Sequence, residues 1–324
     1  MSIKGLKVET IAEKIINGYR LKRDDELSFL LTSPLEELEK AAGLIQKHFF
    51  QNQIELCTII NAKSGRCSEN CKYCAQSVRY KTECEVYPFL TQEKILAQAK
   101  DFVEAGINRC ALVTAARSLN GEDFEKALAC YKEMKKETNL ALCASMGLLK
   151  PEQFQRLREA GVSRYHNNIE TSRNNFPNIC TTHCFDEKIS AIKAAQEAGL
   201  LVCSGGILGM GESFADRIDM ALELSELGVD SIPLNFLIPI PGTPLEKQEQ
   251  ISEEDAMRSI AIFRFINPTA NIRLAAGRKI FSDFGAKAFL SGASSTITGD
   301  MLTTSGTTIM GDMKIIEANG QVRK

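Results

Sequence analysis

The feature that most restricts the fold is one local pattern, repeated along most of the chain. From Gln53 onward, a β-branched or apolar run is followed by a loop, a stretch with helical periodicity and a short glycine-containing turn. The turn recurs as Glu104-Ala105-Gly106, Glu159-Ala160-Gly161, Glu197-Ala198-Gly199 and Glu226-Leu227-Gly228. A glycine there is typical of a helix end, and a new apolar run follows each turn. The pattern therefore predicts strands that alternate with helices.

Eight apolar runs are predicted to be strands, and eight parallel strands alternating with helices close into a (β/α)8 barrel of the TIM type. An open, doubly wound sheet is the alternative. The predicted strands are 54–60, 109–114, 141–145, 163–169, 201–207, 231–236, 272–275 and 295–298, with helices at about 91–105, 122–137, 151–160, 186–198, 213–227, 252–266 and 282–291. We predict an N-terminal helical extension over residues 1–50, the barrel over 51–305 and a C-terminal tail over 306–324.

Composition excludes several classes of protein. The chain has 324 residues, of which 44% are hydrophobic, and a net charge of −2, so it lacks the basic surface expected of a nucleic-acid-binding or membrane-surface protein. No apolar run approaches the ~20 residues needed to cross a bilayer, and the first residues lack the apolar region of a signal peptide. A cytoplasmic location is expected. The eleven cysteines, an odd number, are then expected to be free rather than paired in disulfides.

Three of these cysteines, Cys67, Cys71 and Cys74, form a C-x3-C-x2-C group just after the first predicted strand. Thiolates this close in sequence can hold one iron–sulfur cluster. Because only three are offered, a four-iron cluster would keep one iron open to a small molecule. A zinc site is the alternative, but structural zinc takes four ligands and no second cysteine or histidine pair follows at the usual spacing. A second alternative is that the three cysteines are grouped by chance in a cysteine-rich chain.

Other polar residues fall within predicted strands or at their carboxyl ends, where a barrel places its chemistry. Cys110, Cys143 and Cys203 each lie in a different strand, and each taken alone is more typical of a buried core residue. Arg273 lies in the seventh strand, where a buried guanidinium needs an anion or acceptors. Three thiolates and an arginine from separate strands could enclose a second metal–sulfur site. The polar run 166–172 and the lone amide of Asn235 indicate ligand contacts, with helix capping as the simpler interpretation of the run.

These residues resemble those of the radical S-adenosylmethionine (SAM) superfamily, through C-x3-C-x2-C with an aromatic residue before the last cysteine. Gly205-x-Ile207-x-Gly209-x-x-Glu212 resembles the glycine-containing SAM-site motif of that superfamily. Within it, residues 45–305 closely resemble the biotin synthase family. The most specific stretches are residues 67–77, 202–206, 242–245 and 272–278.

The resemblance implies a role for each matching position. Cys67, Cys71 and Cys74 would hold a [4Fe-4S] cluster that chelates SAM. Ligands of an auxiliary [2Fe-2S] cluster would be Cys110, Cys143, Cys203 and Arg273. Contacts to SAM would come from Tyr73, Glu170, Gly205, Ile207 and Gly209, and contacts to dethiobiotin from Asn168 and Asn235.

The resemblance also implies the reaction. One electron cleaves SAM into methionine and a 5′-deoxyadenosyl radical, which takes hydrogen from dethiobiotin. The carbon radical then takes sulfide from the auxiliary cluster, and a second SAM closes the ring of biotin. A homodimer, a flavodoxin or ferredoxin reductant and the iron–sulfur assembly machinery are expected partners, with no nucleic acid and no membrane. A related radical SAM enzyme on another small molecule and a non-enzymatic iron–sulfur electron carrier are the alternatives.

Two departures from the family pattern stand out. The chain has His166-Asn167-Asn168 where the family has Asn-His-Asn, and it has Cys180 and Cys184 where cysteine is not usual. Two ordinary loop thiols are one interpretation of the second departure. The other is that Cys180 or Cys184 binds an auxiliary cluster larger than two irons or helps rebuild it. No ligand role is expected for Cys57, Cys84 or Cys130.

Overall fold

The computed structural model describes residues 3–299, 301–302 and 306–324, so the predicted domain boundary at residue 305 lies outside the described residues. Three helices come first, within the region predicted to be a helical extension: α1 (Val8–Ile16), α2 (Phe29–Thr32) and α3 (Leu35–Phe50). α3 packs against α1 and against a later helix, α10 (Glu253–Ile266), which extends the apolar core beyond the barrel wall.

Parallel strands and helices then alternate. The strands are β1 (Gln53–Lys63), β2 (Arg109–Thr114), β3 (Ala141–Ser145), β4 (Val162–His166), β5 (Leu201–Cys203), β6 (Gly206–Leu208), β7 (Ser231–Phe236), β8 (Asn271–Leu274), β9 (Ser295–Ile297) and β10 (Val322–Arg323). The other helices are α4 (Gln92–Glu104), α5 (Gly121–Glu137), α6 (Pro151–Glu159), α7 (Phe176–Ile179), α8 (Phe185–Glu197), α9 (Phe214–Glu226) and α11 (Ile309–Ala318).

The sheet closes on itself. β1 pairs with β2 on one side and with β9 on the other, where Glu55 lies in register with Ser295. β5 and β6 together fill the fifth position of the barrel, because both pair with β7. The predicted (β/α)8 barrel is confirmed, and the open sheet is excluded by the pairing of β1 with β9. β10 adds to the edge of β1 outside the barrel.

The predicted strand over 201–207 is interrupted at Gly205, whose amide donates to the side-chain Oδ1 of Asn168 at 3.0 Å rather than to a neighbouring strand. The Ser204 amide still donates to the Ser231 carbonyl of β7 at 2.9 Å. A Cβ on Gly205 would lie 2.0 Å from the carbonyl oxygen of Pro233, so only glycine fits this crossing. β4 likewise ends at His166, before the predicted residue 169.

The predicted helix over 282–291 is wrong. Two short 3₁₀ helices, Arg278–Ile280 and Lys287–Leu290, occupy this region. Phe284 and Gly285 have φ angles of 55° and 89°, which stop an α-helix between them. The Asp283 carboxylate accepts from the amides of Gly285 at 2.8 Å and Lys287 at 2.7 Å, so it competes with helical hydrogen bonding. The sequence patterns did not identify α7, α11 or β10.

Residues alternate between the two faces of each barrel strand. Leu56 and Ile60 of β1 and Leu112 of β2 pack outward into the main apolar core beneath the helices. Cys57 and Ile59 of β1 instead face a cavity inside the barrel. Among the described residues, no helix is long and apolar enough to cross a membrane.

Candidate functional site

A cavity of about 370 Å³ opens inside the barrel at the carboxyl ends of the strands. Most of the residues predicted from the sequence line it, namely Cys67, Cys71, Tyr73, Cys74, Cys143, Asn168, Glu170, Cys203, Ile207, Asn235 and Arg273. Cys110, Gly205 and Gly209 are not part of this lining. One cavity thus holds both the loop cysteines and two of the three strand cysteines.

The loop with Cys67, Cys71 and Cys74 is held in shape by its own backbone and by the segment after α7. The Cys67 amide donates to the Gln76 carbonyl at 2.9 Å, and the Cys74 amide donates to the Cys71 carbonyl at 3.0 Å. Asn70 Oδ1 accepts from the amides of residues 181 and 182 at 3.0 and 3.2 Å. The three thiols therefore belong to a fixed loop at the mouth of the cavity.

Glu69 is the main side-chain anchor of this loop. Its Oε2 accepts from Thr182 Oγ1 at 2.7 Å, lies 2.6 Å from His183 Nδ1 and receives Arg117 Nη1 at 3.3 Å. Burial opposes the charge of Glu69, but the hydrogen bonds from Thr182 and His183 lower its pKa below the usual value. Sequence reasoning missed Glu69, Arg117 and His183, because each is an ordinary polar residue until the loop meets the segment after α7.

The environment of the loop thiols opposes their ionisation in the cluster-free protein. Burial raises the pKa of Cys74 to about 11 and also raises the pKa of Cys67. Cys71 donates its thiol hydrogen to Cys180 Sγ at 3.8 Å, which raises the pKa of Cys71 and lowers that of Cys180. Metal binding at these sulfurs must release protons, so iron uptake is favoured as pH rises.

Cys180 and Cys184 do not reach the strand thiols. Cys180 follows α7, with its Sγ 3.3 Å from His183 Nδ1 and next to Cys71, and Cys184 is exposed at the start of α8. Neither residue lines the cavity beside Cys143 and Cys203. Cys180 thus lies with the loop cysteines, and the hypothesis that Cys180 or Cys184 ligates the auxiliary cluster or helps rebuild it stays a prediction.

Four charged residues, Glu55, Arg109, Arg164 and Arg273, form a cluster at the floor of the cavity, and Arg164 and Arg273 line the cavity itself. Glu55 Oε1 accepts from Arg273 Nη2 and from Arg164 Nη1, the latter at 2.9 Å, and lies 3.5 Å from Arg109 Nε. Burial opposes ionisation of Glu55, but the three guanidinium groups outweigh it and hold the pKa of Glu55 well below its usual range. Two buried cations and one partly buried cation, Arg109, against one carboxylate leave an excess of positive charge, and Arg109 Nε and Arg164 Nε lack hydrogen-bond partners among the described residues.

The thiols of the strands border this floor. Arg109 Nη1 lies 3.5 Å from Cys143 Sγ. Burial opposes the charge of Arg273, but Cys57, Glu55 and Cys203 outweigh it and raise the pKa of Arg273 above its usual value. Cys110 lies on the other face of β2 and packs in the apolar core with Leu112. The structure therefore brings Cys143, Cys203 and Arg273 together, and does not bring Cys110 to them.

Amide side chains line the wall after β4 and in β7. Asn235 donates to the Gly206 carbonyl at 3.0 Å and accepts from the Ala276 amide at 3.1 Å. Asn167 Oδ1 accepts from Lys188 Nζ at 3.1 Å, whereas Asn167 Nδ2 is buried without a partner among the described residues. Asn167 belongs to the polar run 166–172 for which ligand contacts were predicted, whereas Lys188 was missed in the sequence. An unpaired buried amide donor facing a cavity indicates a ligand with an acceptor oxygen.

Glu170 and Tyr73 meet at the side of the cavity. Glu170 has a φ of 70°, a conformation that is rare for a residue with a side chain, and its Oε1 lies 3.9 Å from Lys188 Nζ. Burial and the neighbouring Glu170 carboxylate raise the pKa of Tyr73 well above its usual value. Tyr73 and Ile207 also pack with Ile179, Met210 and Leu237 in a small second apolar cluster, which offers a surface for a flat ring.

The glycine segment is shaped by Glu212 rather than by contact with the cavity. Glu212 accepts from the amides of Gly209 and Met210, both at 2.8 Å, and from Arg217 Nε at 2.9 Å. Gly209 has a φ of 98°, which explains the glycine. Glu212 therefore fixes the turn that follows Ile207.

We expect Glu212→Gln to lower the free energy of unfolding by about 3–5 kcal/mol, because the buried guanidinium of Arg217 loses its carboxylate partner and one of the two backbone donors loses its acceptor. Urea unfolding of the cluster-free protein measures this change. Glu226→Gln, which alters an exposed pair with Arg23, is the control and should cost less than about 1 kcal/mol. Equal losses from the two variants would contradict the anchoring role of Glu212.

Comparison with known proteins agrees with this geometry. Residues 62–236 match the radical SAM superfamily, and residues 233–322 match the Biotin and Thiamin Synthesis associated domain. A biotin synthase from Clostridium beijerinckii is 56% identical, over 97% of this chain and 99% of the relative. A biotin synthase from Alkaliphilus metalliredigens is 52% identical, over 97% and 99% of the two chains. The chain belongs to the biotin synthase family.

Solved structures of other proteins share the fold. A methylornithine synthase superposes with a TM-score of 0.84 at 22% identity, over 97% of each chain. A maturase of the [FeFe]-hydrogenase superposes with a TM-score of 0.82 at 19% identity, over 98% of this chain and 75% of the maturase. At these identities the likeness concerns the barrel alone.

The superfamily implies a [4Fe-4S] cluster and SAM, and the biotin synthase family implies an auxiliary cluster. The residues fit both groups. Three loop thiols face one cavity, which suits a four-iron cluster with one open iron. The strand thiols border a buried excess of positive charge with two orphaned guanidinium donors, which suits an anionic thiolate-bound cluster.

Proposed function

We propose that this protein converts dethiobiotin to biotin by sulfur insertion, with SAM as cosubstrate. The observation that carries the proposal is a single cavity with loop thiols at its mouth and strand thiols beside Arg273 at its floor. The barrel thereby holds a SAM-binding centre and a sulfur source on opposite sides of one space. The 56% identity to a biotin synthase over 97% of the chain supports the same assignment.

The residues have separate tasks in this reaction. Cys67, Cys71 and Cys74 would hold the [4Fe-4S] cluster, and Cys143, Cys203 and Arg273 would hold the auxiliary cluster. When bound, these groups and SAM supply a hydrogen-abstracting carbon radical and a sulfide. The protein positions the substrate between them and excludes water, since the cavity is walled by strands that pair all around the barrel.

The amide wall is suited to the ureido ring of dethiobiotin, which carries N–H donors and a carbonyl acceptor. The unpaired Nδ2 of Asn167 would donate to the carbonyl oxygen. Remaining acceptor positions on Asn168 and Asn235 would receive the ring N–H groups. For SAM, Tyr73 and Ile207 offer apolar surface to the adenine, and Glu170 offers a carboxylate to the ribose hydroxyls. Gly205 and Gly209 would act through the shape of the chain rather than by contact.

The cellular setting follows from this chemistry. A low-potential flavodoxin or ferredoxin would supply electrons, and the iron–sulfur assembly machinery would build the clusters. We also propose a cytoplasmic homodimer, in keeping with eleven cysteines that are all free.

The proposal is tested with anaerobically reconstituted protein, dithionite, SAM and dethiobiotin. We expect both 5′-deoxyadenosine and biotin, with more deoxyadenosine than biotin because a second SAM is needed for each ring closed. Cys130→Ala, which removes a buried thiol of α5 remote from the cavity lining, is the control and should leave both products unchanged. Deoxyadenosine without biotin would assign a different substrate, and the absence of both products would contradict SAM chemistry.

A further inference from the structure

The strand thiols do not form the set that the sequence resemblance implied. In β2, Ala111 and Val113 line the cavity, while Cys110 and Leu112 pack in the core under the helices. Neighbouring residues of a strand point to opposite faces, so Cys110 can reach the cavity only if β2 slips by one residue. Such a slip would also turn Arg109 away from Glu55, at the cost of a buried ion pair.

A different cysteine faces the cavity from the neighbouring strand. Cys57 of β1 lines the cavity with Cys143 and Cys203, and the three thiols are 6%, 4% and 7% exposed. All three lie outside the apolar core clusters, whereas Cys110 is a member of the main one. Burial beside charged groups rather than among apolar side chains distinguishes these thiols from ordinary core cysteines.

The same guanidinium groups face these three thiols. Cys57 and Cys203 are among the groups whose proximity raises the pKa of Arg273. Arg109 Nη1 lies 3.5 Å from Cys143 Sγ. Arg273 and Arg109 both meet Glu55, which lies two residues before Cys57 and on the same face of β1. Cys57 thus lies beside the charged residues at the floor of the cavity and does not pack against the helices outside the barrel.

The residue of β2 that faces the cavity at the level of the strand thiols is Ala111, not a cysteine, so the third thiolate must come from another strand. Ala111 lies in register with Cys143 on one side and Ile59 on the other. A methyl group cannot bind iron, so β2 offers no ligand at this level.

We propose that Cys57, with Cys143, Cys203 and Arg273, ligates the auxiliary iron–sulfur cluster and that Cys110 is a packing residue. This assignment rests on the proposed function, which supplies the auxiliary cluster. It exchanges one thiolate for another of the same charge, so the cluster still meets three thiolates and one guanidinium.

The test compares single cysteine variants in anaerobically reconstituted protein. We expect Cys57→Ala to lose the auxiliary cluster, so that iron falls by about two per chain for a [2Fe-2S] centre and the visible absorption of that centre disappears. The Mössbauer signal of the four-iron cluster should persist. Cys110→Ala should keep the full iron and sulfide content and the full spectrum.

A rescue variant separates ligand loss from misfolding. Adding Ala111→Cys to Cys57→Ala returns a thiol to the cavity from β2, and we expect it to restore the lost iron and absorption. The assignment is overturned if Cys110→Ala loses the auxiliary cluster, or if Cys57→Ala keeps it. Failure of the proposed function is distinct, because the unaltered chain would then bind only the four-iron cluster or form no biotin.

Discussion

Cys74→Ala is expected to abolish SAM cleavage and to remove about four irons per chain. Cys74 lines the cavity together with Cys67 and Cys71. Glu69, the nearest carboxylate in sequence, is committed to Thr182 and His183. Two thiolates alone leave two irons of a cubane without protein ligands, so the cluster should not persist.

Iron and acid-labile sulfide counts, with 5′-deoxyadenosine formation, measure this effect. The matched control is Cys84→Ala, which removes a thiol from the same segment between β1 and α4. Cys84 Sγ lies 3.7 Å from Ser64 Oγ and does not line the cavity, so iron content and cleavage should be unchanged. Full iron content in Cys74→Ala, or equal loss in Cys84→Ala, would contradict the loop as the cluster site.

The barrel could be predicted because its signals are local. Strand limits at 109–114, 141–145 and 231–236 agree with β2, β3 and β7, since each apolar run is bounded by turn residues. The conformation of residues 278–290 could not be predicted in this way. It depends on the left-handed backbone at Phe284 and on the Asp283 carboxylate, which accepts hydrogen bonds from the backbone. Those features compete with a helical pattern that is otherwise ordinary.

The floor of the site was only partly predictable. A barrel strand buried on both faces carries no apolar–polar alternation, so the sequence did not tell which face Cys110 or Cys57 would take. Charged residues held the missing signal. Glu55, Arg109 and Arg164 must face one another inside the barrel, and residues two positions further along, Cys57 and Ala111, then share that face.

The cysteine loop at the mouth of the cavity, unlike the floor, could be recognised from the sequence alone. The spacing of Cys67, Cys71 and Cys74 predicted a metal-binding segment without any structure, because the three proposed ligands are neighbours in sequence. What fixes the loop was hidden, since Arg117 and His183 come from distant segments and meet Glu69 only in the folded chain. Local motifs are therefore visible in the sequence, and the side chains that orient them are not.

Glu55→Gln is expected to lower the free energy of unfolding of the cluster-free protein by about 3–5 kcal/mol. Glu55 is 6% exposed and is the one carboxylate in contact with Arg109, Arg164 and Arg273 among the described residues. A neutral amide keeps the shape of the side chain but leaves the buried guanidinium groups of Arg164 and Arg273, and the partly buried one of Arg109, without an anion. It also brings an N–H donor toward groups that are themselves donors. Anaerobic urea unfolding, followed by circular dichroism, measures the loss.

The same chemical change at the surface is the control. Glu125 pairs with Arg156 through two contacts of 2.9 and 2.7 Å, and both side chains are exposed, so Glu125→Gln should cost less than about 1 kcal/mol. Glu55→Asp, which keeps the charge on a shorter side chain, should recover part of the loss. A loss below about 1 kcal/mol for Glu55→Gln would mean that the three guanidinium groups are stabilised without this carboxylate. The position of Cys57, Cys143 and Cys203 beside the guanidinium groups would then not depend on the negative charge of Glu55.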